Sequence, residues 1–270
     1  MLRQVPAFRN SKVVRSRDPK VLDPLDIVID VGGVYDHARL RYDHHQRDYD
    51  ERFDGGKKKK GSGGNGDGDV EPRCTKLSAS GLVYRHYGKD VLKAHYPNLP
   101  DEYVDVAYNR IYDTLLEALD AIDTGVEPIA SSNDNGGGGS GAKLAYKDST
   151  GLSSRVGRLN PRWNEVSDGG DGNGEERRPS EDERFEVAVA TCGQDFVSVM
   201  TSIVESDIPA RKLVEEALLK RFETDASGEI LCFPSGGMPW KNHLYDLEKQ
   251  HNVVEPSLIK FVLYQDVAKM

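Results

Sequence analysis

The 270-residue chain contains no uninterrupted run of about 18 apolar residues, and this absence predicts that no segment spans a membrane. Its first ten residues lack the apolar core of a secretory signal. The three cysteines are scattered and form no C-x-x-C pair, which argues against a disulfide scaffold or a zinc–thiolate site and favours a reducing, intracellular compartment. The net charge of −9 argues against binding nucleic acid through charge alone, but it is compatible with an acidic metal site that handles phosphates.

Three stretches rich in glycine and polar residues interrupt an otherwise globular sequence, namely residues 55–69, 131–141 and 167–183. Such a composition cannot bury apolar area, so these stretches are predicted to be disordered insertions. The resulting domain prediction is an α/β region, a Gly-rich linker or insertion, and a second, more helical α+β region, over residues 1–125, 126–143 and 144–270.

Apolar periodicity predicts the main elements. Residues 26–31 form a near-continuous β-branched run before Gly32 and Gly33, which is typical of a parallel-sheet strand buried on both faces. Apolar residues three and four apart predict helices, and short β-branched or aromatic runs predict two later strands. The helices are expected at 77–87 with Gly88 as C-cap, 102–122, 185–203 and 213–222, and the strands at 229–233 and 258–264. The fold class is therefore α/β, with a mostly parallel sheet flanked by helices, followed by a more helical part.

The tripeptide Asp43-His44-His45 offers two imidazoles and a carboxylate within a few residues. Imidazole and carboxylate ligands suit Mn, Zn or Fe, whereas thiolate is absent. On an extended segment successive side chains point to opposite faces, so both histidines reach one site only at a bend or a strand end. An exposed polar turn is the alternative interpretation.

Two more aspartates are candidate ligands. Asp30 is predicted at the carboxyl end of a parallel strand, where open α/β sheets bind ligands, although it is equally consistent with a turn cap. Asp123 ends a predicted helix three residues after Asp120, where carboxylates oppose the helix dipole and repel each other. A bound cation would relieve that repulsion, and a solvated acidic helix end is the alternative.

Arg155 and Arg158 form a pair of cations close to Trp163. Such a pair suits a phosphate clamp or stacking on a base, and a buried salt bridge that holds the loop is the alternative.

Seven segments in order resemble one family. They are "IVIDVGG", "RYDHHQR", "TKLSASGLVYRHYG", "DAIDTG", "SSRVGRLNPRWN", "PARKLVEEAL" and "PWKNHLYDLE". The chain resembles the Myg-type proteins, named for melanocyte proliferating gene, which are a branch of the DHH phosphoesterases. The resemblance covers nearly all of the chain outside the glycine-rich stretches.

The resemblance implies a metal-dependent phosphodiesterase, specifically a 3′-to-5′ exonuclease on single-stranded RNA that uses Mn²⁺ or Mg²⁺ in a two-metal site. It implies that Asp30 bridges two metals, that His44 and Asp123 ligate the second metal, that His45 contacts the phosphate and that Asp43 supports its neighbours. Asp120 is a less favoured substitute for Asp123. It also implies a location in the nucleus or mitochondrion, with the cytoplasm as an alternative.

The sequence departs from the family pattern at both ends. No Thr-His-Asn-Gly-x-Phe-His-x-Asp-Glu signature precedes Ser11, and no Gly-rich substrate motif follows residue 264, so the chain is expected to be truncated and to hold one weak metal site. Two other functions therefore stay open. One is a catalytically impaired protein that binds metal or nucleic acid, and the other is a small-molecule phosphatase or pyrophosphatase on the same scaffold.

Overall fold

A computed structural model describes residues 1–55, 75–126, 149–165, 178–234, 236–254 and 258–265. The predicted insertion at 131–141 and nearly all of the linker at 126–143 lie outside these ranges. Two compact units divide the described residues. The first comprises residues 1–55, 75–97, 112–126, 149–165 and 178–199, and the second comprises residues 98–111, 200–234, 236–254 and 258–265.

The described residues form mostly helices, with a few short strands near each end of the chain. The α-helices are α1 (Pro19–Leu22), α2 (Ala79–His95), α3 (Asp101–Ile111), α4 (Glu117–Asp123), α5 (Leu152–Gly157), α6 (Glu181–Ser202), α7 (Ile208–Leu219), α8 (Arg221–Thr224) and α9 (Lys241–Gln250). The strands are β1 (Val28–Ile29), β2 (Tyr35–Asp36), β3 (Arg41–Tyr42), β4 (Ile230–Phe233) and β5 (Phe261–Tyr264). Short 3₁₀ segments cover Leu2–Gln4, Pro6–Phe8 and His37–Arg39, and π-helical turns cover Tyr112–Leu116 and Ile203–Asp207.

The first unit contains a three-stranded sheet in the order β1-β3-β2. Strand β3 is parallel to β1 and antiparallel to β2. The strand predicted over residues 26–31 is only two residues long, and the side chain of Ile29 is 38% exposed, so the prediction of burial on both faces is wrong. Asp30 adopts a left-handed conformation with φ of 61°, and the glycines that follow also have positive φ, which turns the chain out of the strand. The mixed helix-and-strand class is confirmed, whereas an extended, mostly parallel sheet is not.

Helix α2 is longer than predicted. The Ser78 side chain caps its first turn by accepting a hydrogen bond from the backbone N–H of Ser80 at 3.2 Å. The helix continues through Gly88 to His95, so the prediction that Gly88 ends it is wrong. Gly88 is buried, and the next turns bury Val91 and Leu92, which outweighs the cost of about 1 kcal/mol for a glycine inside a helix.

Helix α6 begins inside the stretch predicted to be disordered at 167–183. Ser180 and Glu183 form a capping box, in which each side chain accepts a hydrogen bond from the backbone N–H of the other at 3.2 and 2.7 Å. The disorder prediction is therefore wrong for Glu181–Glu183, and residues 166–177 lie outside the described part.

The second unit contains the parallel pair β4 and β5, which align Ile230 with Phe261 and Phe233 with Tyr264. Helices α7 and α9 supply most of the remaining apolar core. The buried residues are Val214, Leu218, Leu231, Phe233, Leu244, Leu247 and Val253. The predicted strands and helices of this region are confirmed in outline, with β5 shorter than expected.

The helical run Glu181–Leu219 is 39 residues long and contains a stretch that is long and apolar enough to cross a membrane, judged by length and composition only. A core helix of a soluble protein passes the same test, and 22% of this stretch is buried. The prediction that no segment spans a membrane is thus not confirmed.

Candidate metal centre

The short sheet of the first unit brings two candidate ligands to one edge. Asp30 directly follows β1 and Asp43 directly follows β3. Because β1 and β3 are parallel, their carboxyl ends meet at the same edge, where open α/β sheets bind ligands. The backbone N–H of Asp30 donates to the carbonyl of Tyr42 at 3.0 Å, which holds the two strand ends together.

His44 lies between two carboxylates. Its Nδ1 is 3.6 Å from Oδ1 of Asp30, and its Nε2 is 3.8 Å from Oδ2 of Asp123, the last residue of α4. One ligand atom from each of Asp30, Asp43, His44 and His45 lies within 4.8 Å of the others. The structure therefore brings together all five residues that the sequence singled out, although they span more than ninety positions.

These separations are longer than hydrogen bonds and a few tenths of an ångström longer than those between two ligands of one ion. Two ligands about 2.1 Å from one ion, at tetrahedral or octahedral angles, lie roughly 3.0–3.4 Å apart. The His44 side chain is only 9% exposed, and its buried Nδ1 has no hydrogen-bond partner among the described residues. A buried nitrogen without a partner, next to a carboxylate, offers a mixed nitrogen and oxygen donor set, which suits Mn, Zn or Fe. Since one ion cannot use both nitrogens of one ring, Asp30 and Asp123 flank different sides of His44.

Asp43 and His45 form a separate pair. Asp43 is buried, and its Oδ1 accepts hydrogen bonds from Nδ1 of His45 at 2.7 Å and from the His45 backbone at 3.0 Å. Its Oδ2 accepts from the backbone N–H of Gly33 at 2.6 Å. Burial alone would raise the pKa of the Asp43 carboxyl, but these hydrogen bonds hold that pKa below its ordinary value. Asp43 is therefore an anion that orients its neighbour.

His45 is oriented towards solvent by this pair. The hydrogen bond to Asp43 raises the pKa of the His45 imidazole above its ordinary value, against a smaller opposing effect of burial. The Nδ1 atom carries a proton because the Asp43 carboxylate can only accept. The side chain is 63% exposed, so His45 can present an imidazolium to an anionic ligand.

We expect Asp43→Asn to lower the pKa of His45, because the variant removes the anion that stabilises the imidazolium. Titration of the His45 ring protons by NMR would measure this, with assignment from a His45→Gln spectrum. His95, an exposed histidine bonded to Gln4, serves as the control and should titrate alike in both proteins. An unchanged pKa of His45 in Asp43→Asn would show that the pair does not form.

Asp30 carries an electrostatic cost when no cation is present. Burial raises the pKa of the Asp30 carboxyl, repulsion from Asp123 raises it further, and the neighbouring histidines lower it by less. The folded state thus disfavours the charged carboxylate, which a bound cation would offset.

Asp30→Asn is therefore expected to leave the melting temperature of the metal-free protein equal or slightly higher, because solvent screens much of the repulsion at this half-exposed side chain. Asparagine also tolerates the positive φ of this position well. The same variant should lose the rise in melting temperature that Mn²⁺ gives the wild type. Asp26→Asn, at the exposed start of the same segment, should retain that rise. A variant at Asp30 that is less stable without metal and still responds to Mn²⁺ would contradict the assignment.

Asp120 has a structural role. It is fully buried, and its Oδ1 accepts from the N–H of Ser78 at 3.0 Å, the hydroxyl of Ser78 at 2.6 Å and the N–H of Gly81 at 3.1 Å. Its Oδ2 accepts from the hydroxyl of Tyr112 at 2.9 Å. Asp120 thus accepts hydrogen bonds at the amino end of α2, where the helix dipole favours an anion. These hydrogen bonds keep it from replacing Asp123 as a metal ligand.

The predicted substrate pair Arg155 and Arg158 shows other contacts in the described part of the chain. Nη1 of Arg155 is 2.6 Å from Oδ2 of Asp195, which is the ion-pair alternative, and Arg158 donates to the carbonyl of Ser149 at 2.8 Å. Trp163 is 97% exposed. A substrate role for the two arginines stays a prediction.

Sequence reasoning missed the residues that support the site. Ser78 and Gly81 were visible only as part of a helical segment, and nothing in their spacing pointed to Asp120. The close spacing of Asp43 and Gln46 in the sequence was a better signal. Nε2 of Gln46 donates to the carbonyl of Asp43 at 2.8 Å and closes the turn that contains both histidines.

Comparison with known proteins shows the family of the chain. The whole chain, residues 1–270, matches the model of the MYG1 exonuclease family, which is described as an uncharacterised protein family (UPF0160). The chain belongs to this family. It is 36% identical over 267 residues to a MYG1 protein of Caenorhabditis elegans, with 98% of this chain and 68% of the relative covered.

Two mammalian members of the family are also similar. The MYG1 exonucleases of Rattus norvegicus and Homo sapiens are 38% and 37% identical over 275 and 271 residues. In both cases the match covers 99% of this chain and 62% of the relative, so the chain spans less than two thirds of their length. No solved structure matches the chain.

Proposed function

We propose that this protein is a metal-dependent phosphodiesterase, and specifically a 3′-to-5′ exonuclease on single-stranded RNA that uses Mn²⁺ or Mg²⁺. The observation that carries the proposal is the position of His44, a nearly buried imidazole with an unpartnered nitrogen between the carboxylates of Asp30 and Asp123. Membership of the MYG1 exonuclease family supports the reaction class, because the rat and human relatives carry that name.

Each residue of the cluster has a role in this proposal. Nδ1 of His44 and the Asp30 carboxylate would hold the metal, with Asp123 beside Nε2 as the alternative carboxylate ligand, and the bound metal would supply charge neutralisation and an activated water. Asp43 keeps the Nδ1 proton of His45 in place, so the other ring nitrogen, Nε2, is directed towards the substrate. The His45 imidazolium then binds a non-bridging oxygen of the phosphate through a charge-assisted hydrogen bond. Half-exposed Asp30 and Asp123 leave the site open to an RNA end.

The polarity and the substrate are the finer parts of the proposal, as is a location in the nucleus or mitochondrion. A short single-stranded RNA labelled at its 5′ end, incubated with the protein and Mn²⁺, should give a ladder that shortens one nucleotide at a time. The same RNA labelled at its 3′ end should release its label at once as a mononucleotide. EDTA should stop both reactions.

Two other outcomes would overturn the proposal. Hydrolysis of pyrophosphate or a nucleoside monophosphate without cleavage of RNA would indicate a small-molecule phosphatase. Mn²⁺-dependent binding of RNA without hydrolysis of any phosphate ester would indicate a catalytically impaired binding protein.

A further inference from the structure

A cleft lies next to the candidate metal centre and is lined mainly by residues that directly follow His45 in the sequence. Its volume is about 390 Å³, and its lining residues are Tyr35, Gln46, Arg47, Asp48, Tyr49, Asp50 and Glu51. Tyr49 joins the cleft to the centre, because its ring centroid is 6.2 Å from that of His44 while its side chain forms one wall. The volume is near the lower end of the range for small-ligand sites, about 300–1,000 Å³.

The aromatic wall of the cleft is held in place. The hydroxyl of Tyr49 donates to the carbonyl of Leu77 at 2.8 Å, and the hydroxyl of Tyr35 is 2.9 Å from Nε2 of His86. The two tyrosine rings meet edge to face, with their centroids 6.5 Å apart. Fixed aromatic rings lose little conformational entropy when a ligand binds against them.

Arg47 is the positively charged lining residue of this cleft, and its guanidinium forms no ion pair within the described residues. Most other charges that line it are paired, since Glu51 binds Arg85 at 2.6 Å and Asp50 binds Arg52 at 3.0 Å. Arg47 is exposed, and no hydrogen bond or ion pair involves its guanidinium within the described residues. Asp48 is the other charged lining residue whose side chain forms no ion pair in that part of the chain.

We propose that this cleft is the subsite for the nucleotide next to the cleaved phosphate, and that Arg47 binds the phosphate of that nucleotide. Arginine presents a planar fork of N–H donors that matches phosphate oxygens in pairs. Arg47 follows His45 by two positions, on the same turn that Gln46 closes, so its backbone lies within about 7 Å of that of His45 and its long side chain can reach a phosphate next to the one that His45 contacts. This assignment rests on the proposed function and makes Arg47 a substrate-binding residue of the same reaction.

The test compares Arg47→Ala and Arg47→Lys with Arg17→Ala, which removes the same charge from an exposed arginine outside the cleft. With short single-stranded RNA and Mn²⁺, Arg47→Ala should raise KM about tenfold, while kcat changes less than about threefold. The slope of log KM against log salt should fall by about 0.7, the value for one phosphate contact on a single strand. Arg47→Lys should keep the salt slope and lose part of the affinity, because lysine binds as a point charge. Arg17→Ala and the Mn²⁺ affinity of all variants should match the wild type.

Failure of the subsite and failure of the proposed function give different experimental results. If the wild type cleaves RNA but Arg47→Ala leaves KM and the salt slope unchanged, the subsite is overturned and the proposed function stands. If Arg17→Ala has the same effect as Arg47→Ala, the effect is general electrostatics and the subsite is again overturned. If the wild type cleaves no RNA with Mn²⁺, the proposed function fails and the subsite fails with it.

Discussion

His44→Ala is expected to remove Mn²⁺-dependent RNA cleavage, with a loss on the order of 10³-fold or more in kcat/KM. His44 lies between the carboxylates of Asp30 and Asp123, so its loss removes the ring nitrogen beside each of them. A metal that stabilises transition-state charge contributes several kcal/mol, and each 1.36 kcal/mol is a factor of ten in rate. Cleavage is measured with labelled RNA, and metal binding is measured as the shift in melting temperature with Mn²⁺.

His95→Ala is the matched control, because it removes an exposed histidine of the same unit whose one hydrogen bond within the described residues is to Gln4. It should keep both the activity and the metal-dependent shift. An active His44→Ala protein that still responds to Mn²⁺ would show that the metal lies elsewhere.

Gly81→Ala is expected to destabilise the first unit by about 2–4 kcal/mol, because each buried polar group left without a hydrogen-bond partner costs about 1–3 kcal/mol. A Cβ at Gly81 would overlap both carboxylate oxygens of Asp120, closer than real side chains allow. Asp120 would have to leave its site, and the donors of Ser78 and Tyr112 would lose their buried partner. Asp120→Ala should have a similar effect through the same lost hydrogen bonds. Urea unfolding monitored by circular dichroism measures both.

Gly193→Ala provides the control, since Gly193 also lies within an α-helix but a Cβ there meets no atom within 4 Å. This variant should be neutral or more stable by up to about 1 kcal/mol, the helix preference of alanine over glycine. Equal stability of Gly81→Ala and Gly193→Ala would show that the contact between Asp120 and α2 contributes little.

The position of Asp120 also matters for the metal centre. Asp120 and Asp123 lie within one turn of α4, so the contacts that bind Asp120 to the start of α2 also fix the end of α4 beside His44. A variant at Asp120 that stays folded should therefore bind Mn²⁺ more weakly than the wild type, although Asp120 is not a ligand.

The sequence allowed the candidate ligands to be chosen because the relevant rules are local. Asp30 was chosen because it follows a β-branched run, and Asp43 because it belongs to the Asp-His-His tripeptide; the parallel pairing of β1 and β3 then places the two residues at one edge of the sheet. The choice between Asp120 and Asp123 could not be made from spacing, since both lie near the end of the same helix. The choice between the two aspartates depends on Ser78 and Gly81, about forty positions away, whose N–H groups donate hydrogen bonds to Asp120.

Other errors had similar causes. The helix predicted to end at Gly88 continues because burial of the following turns outweighs the local preference. The stretch at 181–183 was assigned to a disordered insertion by composition, although Ser180 and Glu183 form a local capping box. The substrate role of Arg155 stays a prediction, and its pairing with Asp195 joins residues forty positions apart, so no local pattern identifies the partner.

The most direct test of the metal centre is anomalous X-ray scattering at the manganese edge, from crystals of the 270-residue chain grown with Mn²⁺. We expect an anomalous peak about 2.0–2.3 Å from a ring nitrogen of His44, with a carboxylate oxygen of Asp30 or Asp123 at a similar distance. A crystal soaked in Mn²⁺ that shows no peak within reach of His44, or shows its strongest peak at another cluster, would contradict the assignment.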